Sequence, residues 1–399
     1  MIKFDFNTYS GSCLNKEIYQ KNYVRKKEIF EKFNNSEMIG WTRRVKVQEV
    51  TEVLNLRDEI KNNAECLVVV GIGGSYLGSL AINDIFDNNF KVIYLGNDLS
   101  SKSINDTFKY LENKDFYVDV ISRSGNTMEV LITYSLVKDF MLKKYSEDEI
   151  RQRIIITTNQ NTGKLREEVD KYSYRSFAIP SDIGGRYSLI TAAHLLPVSF
   201  NIDIEELIDG FMDGLNLKDD AYLYACVRKS LYDTGKFIEN FSVYEPSFNY
   251  FLEWIKQLFG ESEGKNEKGI FPVGTIGTRD LHSLGQFIQE GNPIIFETFI
   301  KIGKIGNIKY KNVELDKINN LVLDSVVDAH FKAKVYSNII ELDCISAANI
   351  GKLCAFFMLS AAYSGYLFDV NPFNQPGVEV YKECVRNNLS EVLKWKRSI

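Results

Sequence analysis

The segment Ser122-Arg123-Ser124-Gly125-Asn126-Thr127 brings three hydroxyl groups, a guanidinium, an amide and a run of backbone N–H groups within six residues. Such a set suits a phosphate without calling for a metal, because charge-assisted and backbone hydrogen bonds meet the anion directly. Ser and Asn are also ordinary helix N-caps, and for this segment alone that is the plainer reading. A second loop, Gly71-Ile72-Gly73-Gly74-Ser75-Tyr76-Leu77-Gly78, changes the balance. Glycine admits positive φ and close approach of backbone to a ligand, and a following helix would aim its free N–H groups at an anion. The loop is not a dinucleotide fingerprint, which needs glycine where Tyr76 stands. Nor is it a P-loop, because Gly78 is followed by Ser79 and Leu80 instead of Lys and Ser or Thr.

Charged and acid–base groups come from four further places. In Gly184-Gly185-Arg186-Tyr187-Ser188 an arginine follows two glycines just before a helix, well suited to meet an anion. Gly260-Glu261-Ser262-Glu263-Gly264-Lys265 reads as an active loop, since a carboxylate base must come close to its substrate. Taken alone, a solvated acidic loop explains it as well. The chain has only three histidines. His194, in an apolar Ala-Ala-His-Leu-Leu-Pro run, reads as packed and hydrogen-bonded, and His330 as structural with no obvious partner. His282 lies in Arg279-Asp280-Leu281-His282-Ser283, where Asp280 or Ser283 could orient its ring at a helix start, and it is the best acid–base histidine. Lys382 follows a Pro- and Gly-broken loop, Asn371 to Gly377, on a helix where most lysines simply face solvent. The absence of HExxH, HxH and GxSxG patterns argues against a metal hydrolase and a serine hydrolase of the α/β type.

The elements that must position these groups alternate. Leu67–Val70 is a continuous apolar run, the mark of a buried parallel strand. Further strands are predicted at Val92–Leu95, Phe116–Ile121, Ile154–Thr157 and Ser176–Ile179, with helices between them, among them Leu77–Phe86, Ser103–Leu111 and Thr127–Met141. Strands separated by helices of this length predict a doubly wound parallel sheet. A helical stretch over Ile204–Ile238 leads to a second α/β unit. Its strands are predicted at Ser242–Tyr244, Phe271–Gly274, Pro293–Phe299 and Asn338–Leu342, with helices at Tyr250–Phe259 and Leu284–Gln289 and a final apolar helix over Ile350–Leu367. Residues 1–62 read as helical with no strand. Four segments follow: a helical 1–62, α/β units at 63–203 and 204–370, and a loop and helix at 371–399.

The chain has 399 residues, 45% hydrophobic and 25% charged, with a formal net charge of -5. That is an ordinary globular composition with no general attraction to nucleic acid or anionic membrane. Phosphate binding would need a local positive site. The six cysteines, Cys13, Cys66, Cys226, Cys344, Cys354 and Cys384, form no CxxC and no zinc spacing, which fits a reducing cytoplasm. No signal-peptide run opens the chain and no stretch is apolar over the ~20 residues that span a bilayer.

Read in order, GIGGSYLG, SRSGNT, GGRYSL, GESEGK, DLHSLGQ and NPFNQPGVEVYK resemble phosphoglucose isomerases, especially the shorter bacterial form, across about residues 64–385. The resemblance implies two α/β/α sugar-isomerase domains, an active site between them, no cofactor or metal, a sugar-phosphate substrate and a homodimer. It implies that Gly74 and Ser75 lie near the sugar and that Ser122, Arg123, Ser124 and Thr127 surround the phosphate. Glu261, not Glu263, matches the proton-transferring base, and Arg186 the arginine facing the reacting carbons. Gln257 and Gln375 match substrate contacts. Lys382 matches a group assisting ring opening, and His282 the ring-opening histidine, delivered in this family by the neighbouring subunit. The chain departs from the family's usual wording at Arg123, where Lys is common, at Asn126 for Thr and at Asn374 for Asp. A sugar-phosphate sensor without turnover, or an isomerase acting on a related sugar phosphate, would share the phosphate loops. The presence of Glu261, His282 and Lys382 together weighs against the sensor.

Overall fold

The computed structural model describes residues 2–5, 16–86 and 89–392. Cys13 lies outside the described residues. The chain opens on a short strand, β1 (Ile2–Asp5), where the sequence predicts helix only. It pairs antiparallel with the last strand, Ile2 opposite Leu342, and Phe4 stacks on Phe356 at 4.4 Å between ring centroids. Four residues are too few for a periodicity to register in sequence, so only the tertiary partner reveals this strand.

The first sheet is built from β2 (Cys66–Val70), β3 (Lys91–Leu95), β4 (Phe116–Ser122), β5 (Ile154–Thr158) and β6 (Arg175–Ala178), in the order β3-β2-β4-β5-β6. Every pairing is parallel. β2 is buried along its whole length, and its alternate residues feed different cores. Leu67 and Val69 enter the main core, while Cys66, Val68 and Val70 pack with Val130, Tyr134 and Val137 of the helix Met128–Met141. Burial on both faces is why this strand reads as unbroken apolar sequence.

The second sheet holds β7 (Ile238–Val243), β8 (Phe271–Ile276), β9 (Ile295–Lys304) and β12 (Ser337–Cys344), in the order β1-β12-β9-β7-β8, parallel except for β1. Two short strands, β10 (Lys309–Tyr310) and β11 (Val313–Glu314), form a separate hairpin that the sequence pattern misses. The helix Ala347–Leu367 runs through the main core. Contrary to the sequence reading that no stretch reaches that length, it is long and apolar enough to cross a membrane, yet 89% of its most apolar window is buried within the protein, as befits a core helix. The neighbouring helix Ile204–Gly214 lies so close that a Cβ on Gly210 would sit 2.1 Å from the Ala348 carbonyl oxygen.

Two relations between the sheets matter for chemistry. The helix Asn249–Glu263 connects the carboxyl end of β7 to the amino end of β8, so its last turn lies at the amino end of the second sheet. There it meets the loops at the carboxyl ends of the first sheet, the usual place for ligands in open α/β sheets.

Candidate active site

Arg186 organises the junction. It sits in a short 3₁₀ turn after β6, only 4% exposed, and its guanidinium reaches two segments at once, the helix Asn249–Glu263 and the loop over 372–375. Nε donates to Ser262 Oγ at 2.9 Å, and Nη1 to Glu261 Oε2 at 3.2 Å and Gln375 Oε1 at 3.5 Å. Nη2 donates to the carbonyls of Pro372 and, at 3.3 Å, Asn374. A planar fork with several fixed donors is the property that distinguishes arginine from lysine in such a role.

Glu261 and Gln257 lie four residues apart on one helix and so share a face. Gln257 Nε2 donates to Glu261 Oε1 at 3.3 Å, and Gln257 Oε1 is buried with no partner, an acceptor available to a hydroxyl. The Glu261 side chain is 30% exposed, open on the side away from Arg186. The sequence predicts a loop for the GESEGK segment. Instead Gly260 to Glu263 form the last turn of the helix, because Leu258 and Phe259 carry the buried stripe to its end. Two residues on, Glu263 points the other way and is fully buried against Arg228.

The glycine loop is held from beneath. His194 Nδ1 accepts from the Ser79 N–H at 3.0 Å, and its Nε2 bonds to the Gly74 carbonyl at 2.9 Å. That pair of contacts fits the neutral ring with the proton on Nε2, and burial pulls its pKa down to about 4. The structural reading of His194 therefore holds. Gly74 is bare for a reason other than a ligand: a Cβ there would lie 2.3 Å from the Gly185 carbonyl carbon. The glycine loop and the Arg186 turn interlock through backbone, so Gly74 and Ser75 stand beside Arg186.

At the end of β4 the three hydroxyls converge. Ser122 Oγ and Thr127 Oγ1 are 2.8 Å apart, and Ser124 Oγ lies 3.5 Å from each. Gly125 adopts φ +66°, and Asn126 braces the loop by donating to the Ser124 carbonyl and accepting the Lys164 N–H. Asn126 thus serves loop geometry. Arg123 donates one hydrogen bond from Nη2 to the Ser181 carbonyl at 2.8 Å.

Charge also reaches the Ser122–Thr127 loop from the C-terminal helix Pro376–Val392. Lys382 and Arg386, one turn apart, line a cleft of about 270 Å³ with Ser124, Asn126, Thr127, Glu129 and Glu379. Lys382 pairs with Glu379 at 3.0 Å. Arg386 is a contributor outside every sequence motif, and Ser262 and Lys265 lie within the GESEGK motif, which assigns them no role. Arg386 could have been found as the i+4 neighbour of Lys382.

His282 is not brought to this group. It is exposed, on the 3₁₀ turn Arg279–His282 that follows β8, beyond the opposite end of a six-residue strand, roughly 20 Å from the last turn of the Glu261 helix by strand rise. Asp280, expected to orient the ring, instead accepts the Ile276 N–H at 2.7 Å and pairs with Arg279, shaping the turn. His330 has a partner that the sequence hid: Nδ1 lies 2.5 Å from Glu297 Oε2, both side chains buried.

The geometry is that of an α/β enzyme equipped to move protons on an anionic substrate. Comparison with known proteins gives the family. The phosphoglucose isomerase model matches residues 46–323. The glucose-6-phosphate isomerase of Streptococcus thermophilus LMD-9 is 40% identical, with 84% of this chain and 82% of that protein covered. That of Acetivibrio thermocellus is 37% identical over 96% and 94%. A solved glucose-6-phosphate isomerase from Chlamydia trachomatis superposes with a TM-score of 0.77 at 20% identity, covering 88% of this chain and 74% of that one. A solved hypothetical protein from Thermus thermophilus gives 0.82 at 23%, covering 98% and 100%. The chain belongs to the phosphoglucose isomerase family.

Proposed function

We propose that this chain interconverts glucose 6-phosphate and fructose 6-phosphate, with Glu261 carrying the proton between C2 and C1. The substrate phosphate sits on the Ser122, Ser124 and Thr127 hydroxyls and the N–H groups that begin the helix Met128–Met141, a favourable site for a dianion. The sugar then extends past Gly74 and Ser75 toward Glu261. Lys382 and His282 move protons between ring oxygen and hydroxyl to open the ring. Glu261 removes the C2 proton of the aldose, the enediolate forms, and Glu261 returns the proton to C1. Arg186, locked in place before substrate arrives, offers positive charge where the enediolate oxygens become negative, and a fixed charge of this kind needs no reorganisation during reaction. Gln257 and Gln375 bind sugar hydroxyls.

The observation that carries the reading is the Arg186–Glu261 pair: a buried, saturated cation against a partly open carboxylate, beside the glycine loop at Gly74. The two sheets support a division into sugar-isomerase domains at 63–203 and 204–370. The distance of His282 from Glu261 along β8 supports a homodimer in which each subunit lends His282 to its partner. Free thiols at Cys66, Cys226, Cys344, Cys354 and Cys384 support a cytoplasmic setting.

The test is purified protein with fructose 6-phosphate in EDTA, glucose 6-phosphate being read by a coupled dehydrogenase. Turnover is expected, and Glu261→Gln should lower kcat by about 10²–10⁴-fold. Binding of fructose 6-phosphate with no turnover in the wild type would overturn the isomerase reading in favour of a sensor.

A further inference from the structure

Lys265 closes the GESEGK segment, and nothing in the proton-transfer scheme uses it. Its Nζ donates to the Ser262 carbonyl at 3.0 Å and to the Asn371 carbonyl at 2.6 Å. The first bond caps the end of the Glu261 helix. The second crosses 106 residues to the start of the loop that carries Gln375 and leads to Lys382. Arg186 grips the other part of that loop through the carbonyls of Pro372 and Asn374. Two cations thus hold one four-residue stretch of backbone, one at each end, and both belong to the surroundings of Glu261.

We infer that Lys265 is a positioning residue for the isomerase reaction, its ammonium clamping the 371–375 loop against the Glu261 helix so that Gln375 and Glu261 keep their spacing. The inference rests on the isomerase reading of the same site. The groups facing Lys265 are Arg186 from the 3₁₀ turn, Glu261 and Glu263 from the helix, and the Asn371 carbonyl from the loop. Burial is the main force on its charge and lowers the pKa, repulsion from Arg186 lowers it further, the two glutamates oppose both, and the balance lies at about 8. The clamp is therefore charged below that pH and is weakened as pH rises through it, because losing the charge removes the stronger, charge-assisted form of both hydrogen bonds.

The experiment compares wild type, Lys265→Arg and Lys265→Met by kcat/KM from pH 6 to 10, and by hydrogen exchange of residues 371–375 at pH 7 and 9, corrected for the intrinsic rate. Wild type should lose activity through an alkaline limb near pH 8, with exchange protection of the loop falling in parallel. Lys265→Arg, which does not titrate in this range, should retain activity at pH 7 and lose the limb. Lys265→Met should lose about 10–100-fold in kcat/KM at pH 7, with a weakly protected loop at both pH values. An unchanged limb in either variant overturns the inference. So does loop protection that is the same in wild type and Lys265→Met at pH 7. If wild type has no turnover, the isomerase reading fails, and the exchange comparison alone still decides whether Lys265 clamps the loop.

Discussion

Two arginine–glutamate centres lie on the helix Asn249–Glu263 and differ in one respect. Arg228 is completely buried, with Nε on Glu239 at 2.6 Å, Nη1 on Glu263 and on Ser364 Oγ at 2.8 Å, and both carboxylates fully buried. Tyr224 and Thr298 supply further donors to Glu239, at 2.5 and 2.7 Å. Burial raises the Glu263 pKa despite Arg228, and the two carboxylates raise that of Arg228 against burial. Arg186 is buried almost as deeply, but its carboxylate partner Glu261 keeps 30% of its side chain in the open. Saturation on all sides makes the first centre a strut. In the second the cation is saturated and the carboxylate is not, which is the arrangement the proposed proton transfer by Glu261 requires. Glu261 and Glu263 are two residues apart, so the turn of the helix points one toward the open side and the other into the core.

Removing one partner from each centre is the sharpest way to break this comparison. Glu261→Gln should cost two to four orders of magnitude in kcat, roughly the range for positioned acid–base groups, with an unchanged melting temperature. Arg228→Met should do the reverse. It leaves Glu239 and Glu263 buried without a counter-charge, a loss of about 3–5 kcal/mol in stability, measurable by urea unfolding. Activity per folded molecule should be much less affected. If Arg228→Met unfolds no more easily than wild type, the strut reading is wrong.

Much of this is legible in the sequence, and the exceptions share a cause. The buried strands Cys66–Val70 and Phe116–Ser122 are readable because burial on two faces leaves little room for polar residues. The phosphate loop is readable because its hydroxyls lie within six residues of one another. What sequence conceals is the partner of each polar group. Arg123 carries a hydrogen bond to the Ser181 carbonyl that its motif does not announce; Asp280 looks like a histidine partner and instead ties a turn; His330 looks solitary and meets Glu297. These contacts span 58, 4 and 33 residues, and a motif is silent about which way a side chain turns. The last turn of the Glu261 helix escapes the sequence reading because glycines on both sides of the glutamates suggest a loop, while the buried Leu258 and Phe259 carry the helix through.

The second class of prediction concerns His282, which sharpens the account of where the open centre gets its missing acid–base group. His282→Ala should lower kcat by about 10²-fold. Mixing dissociated and reassociated His282→Ala and Glu261→Gln subunits should restore part of the activity, because a mixed dimer holds one site with both groups intact. No recovery beyond the sum of the parents would mean that His282 serves its own chain or none. The smallest effect is expected at Arg386. Arg386→Gln removes a cation from the rim of the phosphate cleft, and the KM for fructose 6-phosphate should rise by about fivefold, roughly 1 kcal/mol, as for an exposed ion pair. Here kcat should be unchanged, and the difference from wild type should shrink at high salt.

The central claim is that Glu261, and not its buried neighbour, carries the substrate proton. It is tested most directly by incubating fructose 6-phosphate with the protein in D₂O and following the C1 hydrogens by NMR. With wild type, deuterium should enter C1 of fructose 6-phosphate and C2 of glucose 6-phosphate, since a carboxylate with 30% exposure exchanges its proton with solvent between transfers. With Glu261→Gln both signals should remain protiated. Deuterium entering at the wild-type rate in Glu261→Gln would contradict the account and move the base to another residue.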